Sequence, residues 1–242
     1  MSDAEPRNPF TRRGFILGGV LIAGLAAAAI TLAFTSVHGD PGATAVAPTS
    51  TPVVTATADP ATASVCGLPG YDTTNTLTAT PETKWEIVGT MAAPGSTTIG
   101  PGITGADGVR SCYAHTAAGA VFAVANFWAM GTDIRLAPLV TAQSLVPGPG
   151  RDAAMAMKTT QGSTGTSAQV AGFKVLSYDG TDATIDVVLE TSTGTDQLFS
   201  FPVPMRWSGG DWKLVVTDDG QQVFRPTALQ SLGGYTPWAG LK

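Results

Sequence analysis

The chain has 242 residues, of which 43% are hydrophobic and 13% are charged, and its formal net charge at pH 7 is -5. Beyond the N-terminal stretch it has no block of Lys and Arg, which argues against nucleic-acid binding, because such proteins neutralise phosphates with a basic surface. Two cysteines and two histidines are too few for the usual closed Cys/His zinc site, so we expect neither a metal nor a cofactor.

The first feature of the chain is an uncharged, largely apolar stretch from Gly14 to Val37 that directly follows Arg12 and Arg13. As a helix it would be about 36 Å long, which is enough to cross a hydrocarbon core of about 30 Å. The basic residues lie on one side of the stretch only, and the positive-inside rule places that side in the cytoplasm. We therefore predict a single-pass protein of the cell membrane, with residues 1–13 cytoplasmic, a transmembrane helix over 14–37 and the rest extracytoplasmic.

Two other interpretations of this segment stay open. A cleaved signal peptide has an apolar core of about 7–15 residues with a small-x-small site close behind it. The nearest such sites, at 43–45 and 45–47, lie well past the apolar stretch, so a retained anchor is favoured. The run TRRGFI, residues 11–16, also fits a twin-arginine export motif, which two flanking arginines explain equally well. Both interpretations deliver the remaining chain to the same side of the membrane.

Residues 38–64 are rich in Ala, Thr, Pro and Ser and lack aromatic residues, so we expect a disordered linker there. Residues 65–242 would then form the extracytoplasmic domain. Cys66 and Cys112 are expected to pair, because two cysteines outside the cytoplasm commonly form a disulfide. The alternative is a redox or catalytic thiol, which would favour a close partner such as C-x-x-C, and that motif is absent.

Helices are predicted in the first half of the domain, after one short strand at 84–94 and a loop at 95–108. The run 113–131 has helical spacing, a good N-cap in Thr116, and apolar residues on nearly every side, so it is expected to be a central helix. Two further helices are predicted, one from Asp133 or Pro138 to Val146 and one over residues 151–160.

From residue 169 onward the apolar residues alternate, which is typical of strands. The predicted strands are 169–178, 183–190, 197–207 and 212–217, with Asp179-Gly180 as a hairpin turn. Pro202 and Pro204 in the third strand suggest an edge or a bulge. Helices followed by a meander predict an α+β domain with the helices packed on one curved antiparallel sheet. The tail is expected to fold back over the core through Leu229, Leu232, Tyr235 and Trp238.

Candidates for chemistry in the domain are few. His115 is its only histidine, and Asp186 and Glu190 lie on a common strand face, so all three could line a pocket between sheet and helices. Without a partner motif, a surface or helix-start histidine is the favoured role, and we expect no catalytic residue. GPGITG (100–105) and GPGRDA (148–153) match the dinucleotide-binding glycine pattern, but neither lies between a strand and a helix, so both are interpreted as turns.

The order of these parts resembles a known family. The runs YAHTAAGAVFAVANF (113–127), YDGTDATIDV (178–187), WSGGDWKLV (207–215) and GGYTPWAG (233–240) follow a membrane helix and a Pro/Thr/Ala linker. This combination is similar to the bitopic assembly proteins of type IV secretion and conjugation machines, and most of all to actinobacterial conjugal-transfer proteins. The resemblance implies a cone-like extracytoplasmic domain with the fold of nuclear transport factor two. Segment 66–112 has no counterpart in the better-known Gram-negative members.

The resemblance and the missing catalytic set together imply a non-enzymatic scaffold. Its partners would be the membrane and other subunits of an envelope-spanning export complex, and it would be a homo-oligomer. One alternative is an exported cone-fold domain that binds a small apolar ligand or acts as an enzyme at the cell surface. A buried cavity containing His115 with Asp186 or Glu190 would favour that alternative. Another alternative is a cell-surface protein that belongs to no machine.

Overall fold

The structure, a computed structural model, describes residues 62–157, 167–192 and 196–240. The predicted transmembrane segment 14–37 and the linker up to residue 61 lie outside these residues. Across the described ranges, no helix has both the length and the apolar character needed to cross a membrane. The described architecture is α+β, with helices packed on antiparallel sheets, as the change of period in the sequence predicts.

The helices are α1 (Ala117–Gly131), α2 (Ala137–Ser144) and α3 (Pro149–Ala156). Four short strands precede or flank the start of α1: β1 (Lys84–Val88), β2 (Met91–Gly95), β3 (Ile103–Thr104) and β4 (Arg110–Ser111). The main strands are β5 (Ser167–Tyr178), β6 (Asp182–Ser192), β7 (Asp196–Ser208) and β8 (Asp211–Leu214). The tail adds β9 (Thr227–Leu229) and β10 (Thr236–Pro237).

Helix α1 is the centre of the domain. Thr116 has extended backbone angles, and its hydroxyl oxygen accepts a hydrogen bond from the Gly119 N–H at 3.1 Å, so the predicted N-cap is confirmed. Val124 and Phe122 are completely buried although they lie on different sides of the helix. A helix that is apolar all round must be covered on every side, and α1 packs against β2, β5, β6 and β8.

The main sheet is antiparallel, with the strand order β10-β5-β6-β7-β8 and with β9 paired to β7. Its β5–β8 meander is the one predicted from the alternating pattern. Ile185, Val187 and Leu189 on β6 are all buried in the core cluster that contains α1, which confirms that they share one face. Asp179 Oδ1 accepts the N–H groups of Thr181 and Asp182, so the β5–β6 turn is closed by a side chain as well as by backbone.

Strand β7 lies inside the sheet and not at its edge: residues 196–206 pair with β6 without a register shift. On its other side, β9 pairs with residues 198–200 and β8 with residues 205–208. Pro202 and Pro204 lie between these two ladders. The Trp207 N–H points to β6, so by alternation the proline nitrogens point to the opposite side and do not interrupt the β6 ladder. On that side the Pro204 carbonyl still accepts the Val215 N–H at 3.0 Å.

The single strand predicted at 84–94 is also wrong, because the chain turns back at Gly89 and forms the β1–β2 hairpin. Gly89 has a φ of 60°, a conformation that suits glycine in a tight turn. Gln169 on β5 fixes this hairpin to the main sheet: its Oε1 accepts the Ala92 N–H at 2.8 Å and its Nε2 donates to the Thr90 carbonyl at 3.1 Å. This long-range side-chain contact has no local signature in the sequence.

Other boundaries differ from the predictions by a few residues. Helix α2 ends at Ser144 rather than Val146, α3 begins at Pro149, and β8 ends at Leu214 rather than residue 217. The predicted loop at 95–108 contains β3, which pairs with β4. Residues 158–160, predicted as the end of the third helix, lie outside the described residues.

The tail folds back as predicted. Strand β10 pairs with β5, and the Trp238 side chain is only 3% exposed. Its backbone N–H donates to the Ala171 carbonyl at 3.0 Å, and its indole Nε1–H donates to the Thr83 hydroxyl at 3.0 Å. The tail therefore joins β5 to the segment that precedes β1.

Candidate functional site

The disulfide between Cys66 and Cys112 is formed, with an S–S distance of 2.10 Å and a Cα–Cα distance of 6.1 Å. This confirms the predicted pairing. Cys112 lies just before α1, so the bond attaches residues 62–72, which we call the N-terminal strap, to the beginning of the central helix. The strap is the part of the domain that continues directly from the linker.

The strap crosses one end of the main sheet. The Val65 N–H donates to the carbonyl of Gly210 in the β7–β8 turn at 2.8 Å. Near its other end, the Tyr178 hydroxyl donates to the carbonyl of Asp72 at 3.0 Å, and Tyr178 is the last residue of β5. Both hairpin turns of this end of the sheet are thus bound to the strap.

His115 lies where these parts meet. It precedes the N-cap Thr116, which agrees with a helix-start histidine, but it is buried rather than on the surface, with 3% of its area exposed. Its Nδ1 is 2.8 Å from the carbonyl oxygen of Thr62, and its Nε2 contacts the carbonyl oxygen of Gly180. Both ring nitrogens are therefore engaged by backbone within the domain, and neither is open to a substrate proton.

Aromatic rings surround His115. Trp207 stacks on it with the ring centroids 3.7 Å apart and the planes within 7° of each other. Tyr71 and Trp212 lie at 4.8 Å and 5.8 Å. Burial raises the pKa of Tyr178 well above its usual value, so this residue stays a hydrogen-bond donor, and its hydroxyl also lies 3.2 Å from the His115 carbonyl.

The other two candidate residues lie elsewhere. Asp186 lies in the middle of β6, opposite Lys174 on β5 and Pro202 on β7. It is 6% exposed, and its Oδ2 accepts the Tyr235 hydroxyl at 2.7 Å. Because Ile185 and Val187 face α1, Asp186 lies on the opposite face of the sheet, under the tail.

Glu190 lies further along β6 and is exposed. It borders an open groove at the end of the sheet remote from the strap. The groove is lined by Glu190, Gln197, Leu198, Phe199, Ala228, Leu229 and Gln230. Four residues of strand separate Glu190 from Asp186, or about 13 Å.

The structure does not bring His115, Asp186 and Glu190 together. His115 contacts Trp207 near the end of β7, and Asp186 pairs with Pro202 on the same strand. Five residues along a strand correspond to about 17 Å. The buried cavity that would combine His115 with either carboxylate, which the ligand-binding or enzymatic alternative needs, is not formed by these residues.

The two glycine patterns were interpreted as turns, but both contain regular structure. GPGITG (100–105) includes β3, and the Gly102 N–H donates to the Cys112 carbonyl at 2.7 Å. In GPGRDA (148–153), Gly148 is the N-cap of α3 and the other five residues are the beginning of that helix. Within the described ranges, no three His, Cys, Asp or Glu side chains are placed to hold a metal ion.

Sequence reasoning missed most of the residues that build this end of the domain. The sequence pattern singles out neither Trp207, the last residue of the predicted strand 197–207, nor Asp211, directly before the predicted strand 212–217. In the structure the Asp211 side chain is buried and binds the backbone at Cys112. The only available signals were the density of aromatic residues near the turns and a charged residue directly before an apolar strand.

The fold and the site define a disulfide-linked α+β domain whose N-terminal strap is fixed to one end of an antiparallel sheet. The chain belongs to the family described as a domain of unknown function (DUF8175), whose model matches residues 46–237. No curated protein and no solved structure matches the chain.

Proposed function

We propose that this protein is a membrane-anchored, non-enzymatic scaffold subunit of a conjugation or type IV secretion-like envelope complex. Residues 14–37 would be the transmembrane helix, and the domain would act on the extracytoplasmic side as a homo-oligomer bound to other subunits. We further propose that the sheet and α1 form the cone-like fold that the sequence resemblance implies.

The disulfide is the observation that carries this proposal. Disulfides persist in oxidising compartments and are rare in the cytosol. Cys66 follows the linker closely, and the apolar stretch before that linker has Arg12 and Arg13 on one side only. These features together support a domain held on the far side of a membrane.

A scaffold role is supported by the way the candidate residues are used. His115 binds two backbone carbonyls, and Asp186 binds the tail through Tyr235, so both contribute to the assembly of the domain. A domain on a Pro- and Thr-rich tether can reach neighbouring subunits while staying attached to the bilayer.

The test is fractionation of cells that express the full chain at native level. We expect the intact chain in the membrane fraction, resistant to a carbonate wash and released by detergent. Protease added to spheroplasts should degrade the domain, and Cys66 and Cys112 should resist alkylation until a reductant is added. Recovery of a mature chain from the culture fluid, starting beyond Val37, would contradict the anchor.

The double variant Arg12→Lys, Arg13→Lys is a matched control for the export route. It retains both positive charges, so a simple membrane anchor inserts as before. A twin-arginine signal requires the arginines themselves, and the variant would then remain uncut and unexported.

The scaffold role is tested by crosslinking in cells, detergent extraction and identification of the proteins that copurify. We expect membrane subunits of an export complex together with additional copies of this chain. A chain that stays in the membrane but copurifies with no other envelope protein would favour the alternative of a surface protein without a machine.

A further inference from the structure

Strand β1 has one edge paired with β2 and one edge that faces away from it. Val88 and Met91 flank the two-residue turn of the hairpin, so they form a hydrogen-bonded pair, and bonded and non-bonded pairs alternate from there. Trp85 and Ile87 therefore belong to non-bonded pairs. Their backbone N–H and C=O groups point away from β2.

The partner strand agrees with this alternation. The Ala92 N–H donates to Gln169 Oε1 at 2.8 Å, and the Pro94 carbonyl accepts the Asn126 side-chain amide at 2.9 Å. These two residues of β2 thus direct their backbone groups away from β1, and they are the ones that lie opposite the outward-facing residues of β1.

The outer edge of β1 is open within the described part of the chain. There β1 pairs with β2 alone, and neither Trp85 nor Ile87 has a backbone hydrogen bond to a described residue outside the hairpin. The Ile87 side chain is 60% exposed. An unpaired edge that carries an exposed apolar residue is a template for the addition of another strand.

The charges on β1 indicate which strand fits this edge. Lys84 and Glu86 are both exposed and lie two residues apart, on one face of the strand. If two copies of β1 pair antiparallel about a two-fold axis at Trp85, Lys84 of each copy lies opposite Glu86 of the other. An axis at Glu86 would place two carboxylates together, and an axis at Ile87 would leave both charges opposite uncharged residues.

Glu86 is already positioned for such a contact. Its Oε2 accepts the guanidinium of Arg110, which is buried, whereas the Glu86 side chain is 66% exposed. The carboxylate is therefore held at the surface with room for a second cation. Among the described residues, Lys84 has no ion-pair partner of its own.

We propose that the outer edge of β1 is the contact between two copies of this domain, which pair antiparallel about a two-fold axis at Trp85. The two Trp85 residues exchange backbone hydrogen bonds, and two Lys84–Glu86 ion pairs flank the axis. Each exposed Ile87 is covered by the neighbouring strand. The inference rests on the proposed homo-oligomer and names its contact. The contact is small, and membrane anchors support it by raising the local concentration of the two domains.

The test is crosslinking of the full chain with a zero-length carbodiimide, which joins a lysine to a carboxylate in direct contact. Unlabelled and ¹⁵N-labelled chains are reconstituted together in phosphatidylcholine vesicles, so that mass spectrometry separates links between copies from links within one copy. Energy transfer between chains dyed at the N-terminal amine shows separately whether copies associate.

We expect Lys84–Glu86 links between copies. Copies that associate without this link, or with Lys84 linked to Glu82 in its place, would overturn this contact and leave the homo-oligomer standing. Chains that do not associate at all would contradict both.

The variant Ile87→Pro tests the edge itself. Proline lacks the outward N–H, which β2 does not use, so the hairpin is retained while strand addition is blocked. Lys84–Glu86 links between copies should fall on the order of tenfold, and the matched control Ile87→Val should retain them. Equal yields from the two variants would overturn the proposal.

Circular dichroism shows whether the proline variant is folded. If it is not, the wild-type chain supplies a second measurement: raising the salt concentration from ~0.05 M to ~0.5 M should lower the yield of Lys84–Glu86 links, because exposed ion pairs are screened. A yield that does not depend on salt would contradict the ion pairs and the register that they define.

Discussion

Asp211 holds the backbone of Cys112. Its Oδ2 accepts the Cys112 N–H at 3.1 Å, and its Oδ1 accepts the Tyr113 N–H at 2.9 Å. Cys112 has a φ of 63°, in the left-handed region that non-glycine residues rarely adopt. The buried carboxylate thus stabilises an unfavourable backbone conformation at the residue that closes the disulfide, and Lys213 Nζ balances its charge at 3.0 Å.

Asp211→Asn should therefore destabilise the domain by about 3 kcal/mol. The amide has one acceptor oxygen in place of two. Its NH₂ group must therefore face the Tyr113 and Trp212 N–H groups in one orientation, or the Cys112 N–H and the Lys213 ammonium in the other. Chemical denaturation followed by tryptophan fluorescence measures the change. The control is Asp218→Asn, an exposed residue further along the chain, which should change stability by less than about 0.5 kcal/mol. Equal stability of the two variants would show that Asp211 has no such role.

The disulfide closes a loop with a sequence separation of 46 residues. In the chain-entropy model a loop of this size stabilises the folded state by about 4 kcal/mol. We expect Cys66→Ala with Cys112→Ala to lower the free energy of unfolding by about that amount, measured by the same denaturation experiment. Addition of a reductant should destabilise the wild-type chain and leave the double variant unchanged. A wild-type chain that is insensitive to reduction would contradict this expectation.

Gly102 gives an independent check on the position of this bond. A Cβ atom at residue 102 would lie 2.3 Å from Cys66 Sγ. Gly102→Ala should destabilise the oxidised chain, and the effect should be smaller when Cys66 is replaced by Ala, because the two positions are in contact. Additive effects in this double-mutant cycle would count against the contact.

Two glycines in α1 should respond in opposite ways to the same substitution. A Cβ at Gly119 would lie 1.9 Å from the Ala114 carbonyl oxygen, a contact with backbone that cannot move aside. A Cβ at Gly131 would meet no atom within 4 Å. Gly119→Ala should therefore destabilise the domain by several kcal/mol, although alanine favours helices, whereas Gly131→Ala should stabilise it by up to about 1 kcal/mol.

Thermal unfolding followed by circular dichroism compares the two variants within one helix. The expected result is a lower midpoint for Gly119→Ala and an unchanged or higher midpoint for Gly131→Ala. If both variants are stabilised, as helix propensity alone would predict, then α1 does not approach residue 114 as closely as the structure shows.

The elements that the sequence predicted are those with a local, repeated signal. Helix α1 combines helical spacing with a capping threonine, and the β5–β8 meander has alternating residues separated by Gly-containing turns. The Cys66–Cys112 pairing needed only the count of cysteines and the predicted compartment. The helix and the strands were predicted from residues that are neighbours in the sequence. The disulfide was predicted because only two cysteines are present.

The elements that were missed depend on contacts between distant residues. The β1–β2 hairpin is fixed by Gln169, which lies 77 residues from Ala92, and its second strand contains Ala and Pro rather than β-formers. Asp211 binds Cys112 across 99 residues. His115 was singled out as the only histidine of the domain, but its carbonyl partners are backbone atoms, which carry no residue-specific signal.

Asp186 should make the stability of the domain depend on pH. Burial raises the pKa of its carboxyl above the usual value, and the hydrogen bond from Tyr235 offsets only part of this effect. In the unfolded chain the carboxyl ionises at a lower pH. The protonated Asp186 carboxyl therefore stabilises the folded chain fully at a pH low enough to protonate it in both the folded and the unfolded chain. This stabilisation is lost as the pH rises through the pKa of the folded state.

Asp186→Asn removes this ionisation and retains an oxygen that can accept the Tyr235 hydroxyl. The variant should be more stable than the wild-type chain at pH 7, and the difference should shrink as the pH falls toward the ordinary aspartate pKa of about 3.9. Denaturation curves across this pH range give the measurement. Glu190→Gln is the control, because Glu190 is exposed on the same face of β6 and its replacement should change stability by less than about 0.5 kcal/mol. Tyr235→Phe should destabilise the chain by about 1 kcal/mol through the lost hydrogen bond. If Asp186→Asn is less stable than the wild type at pH 7 by as much as at pH 4, the carboxylate is a favourable partner of Tyr235 and its burial does not oppose folding.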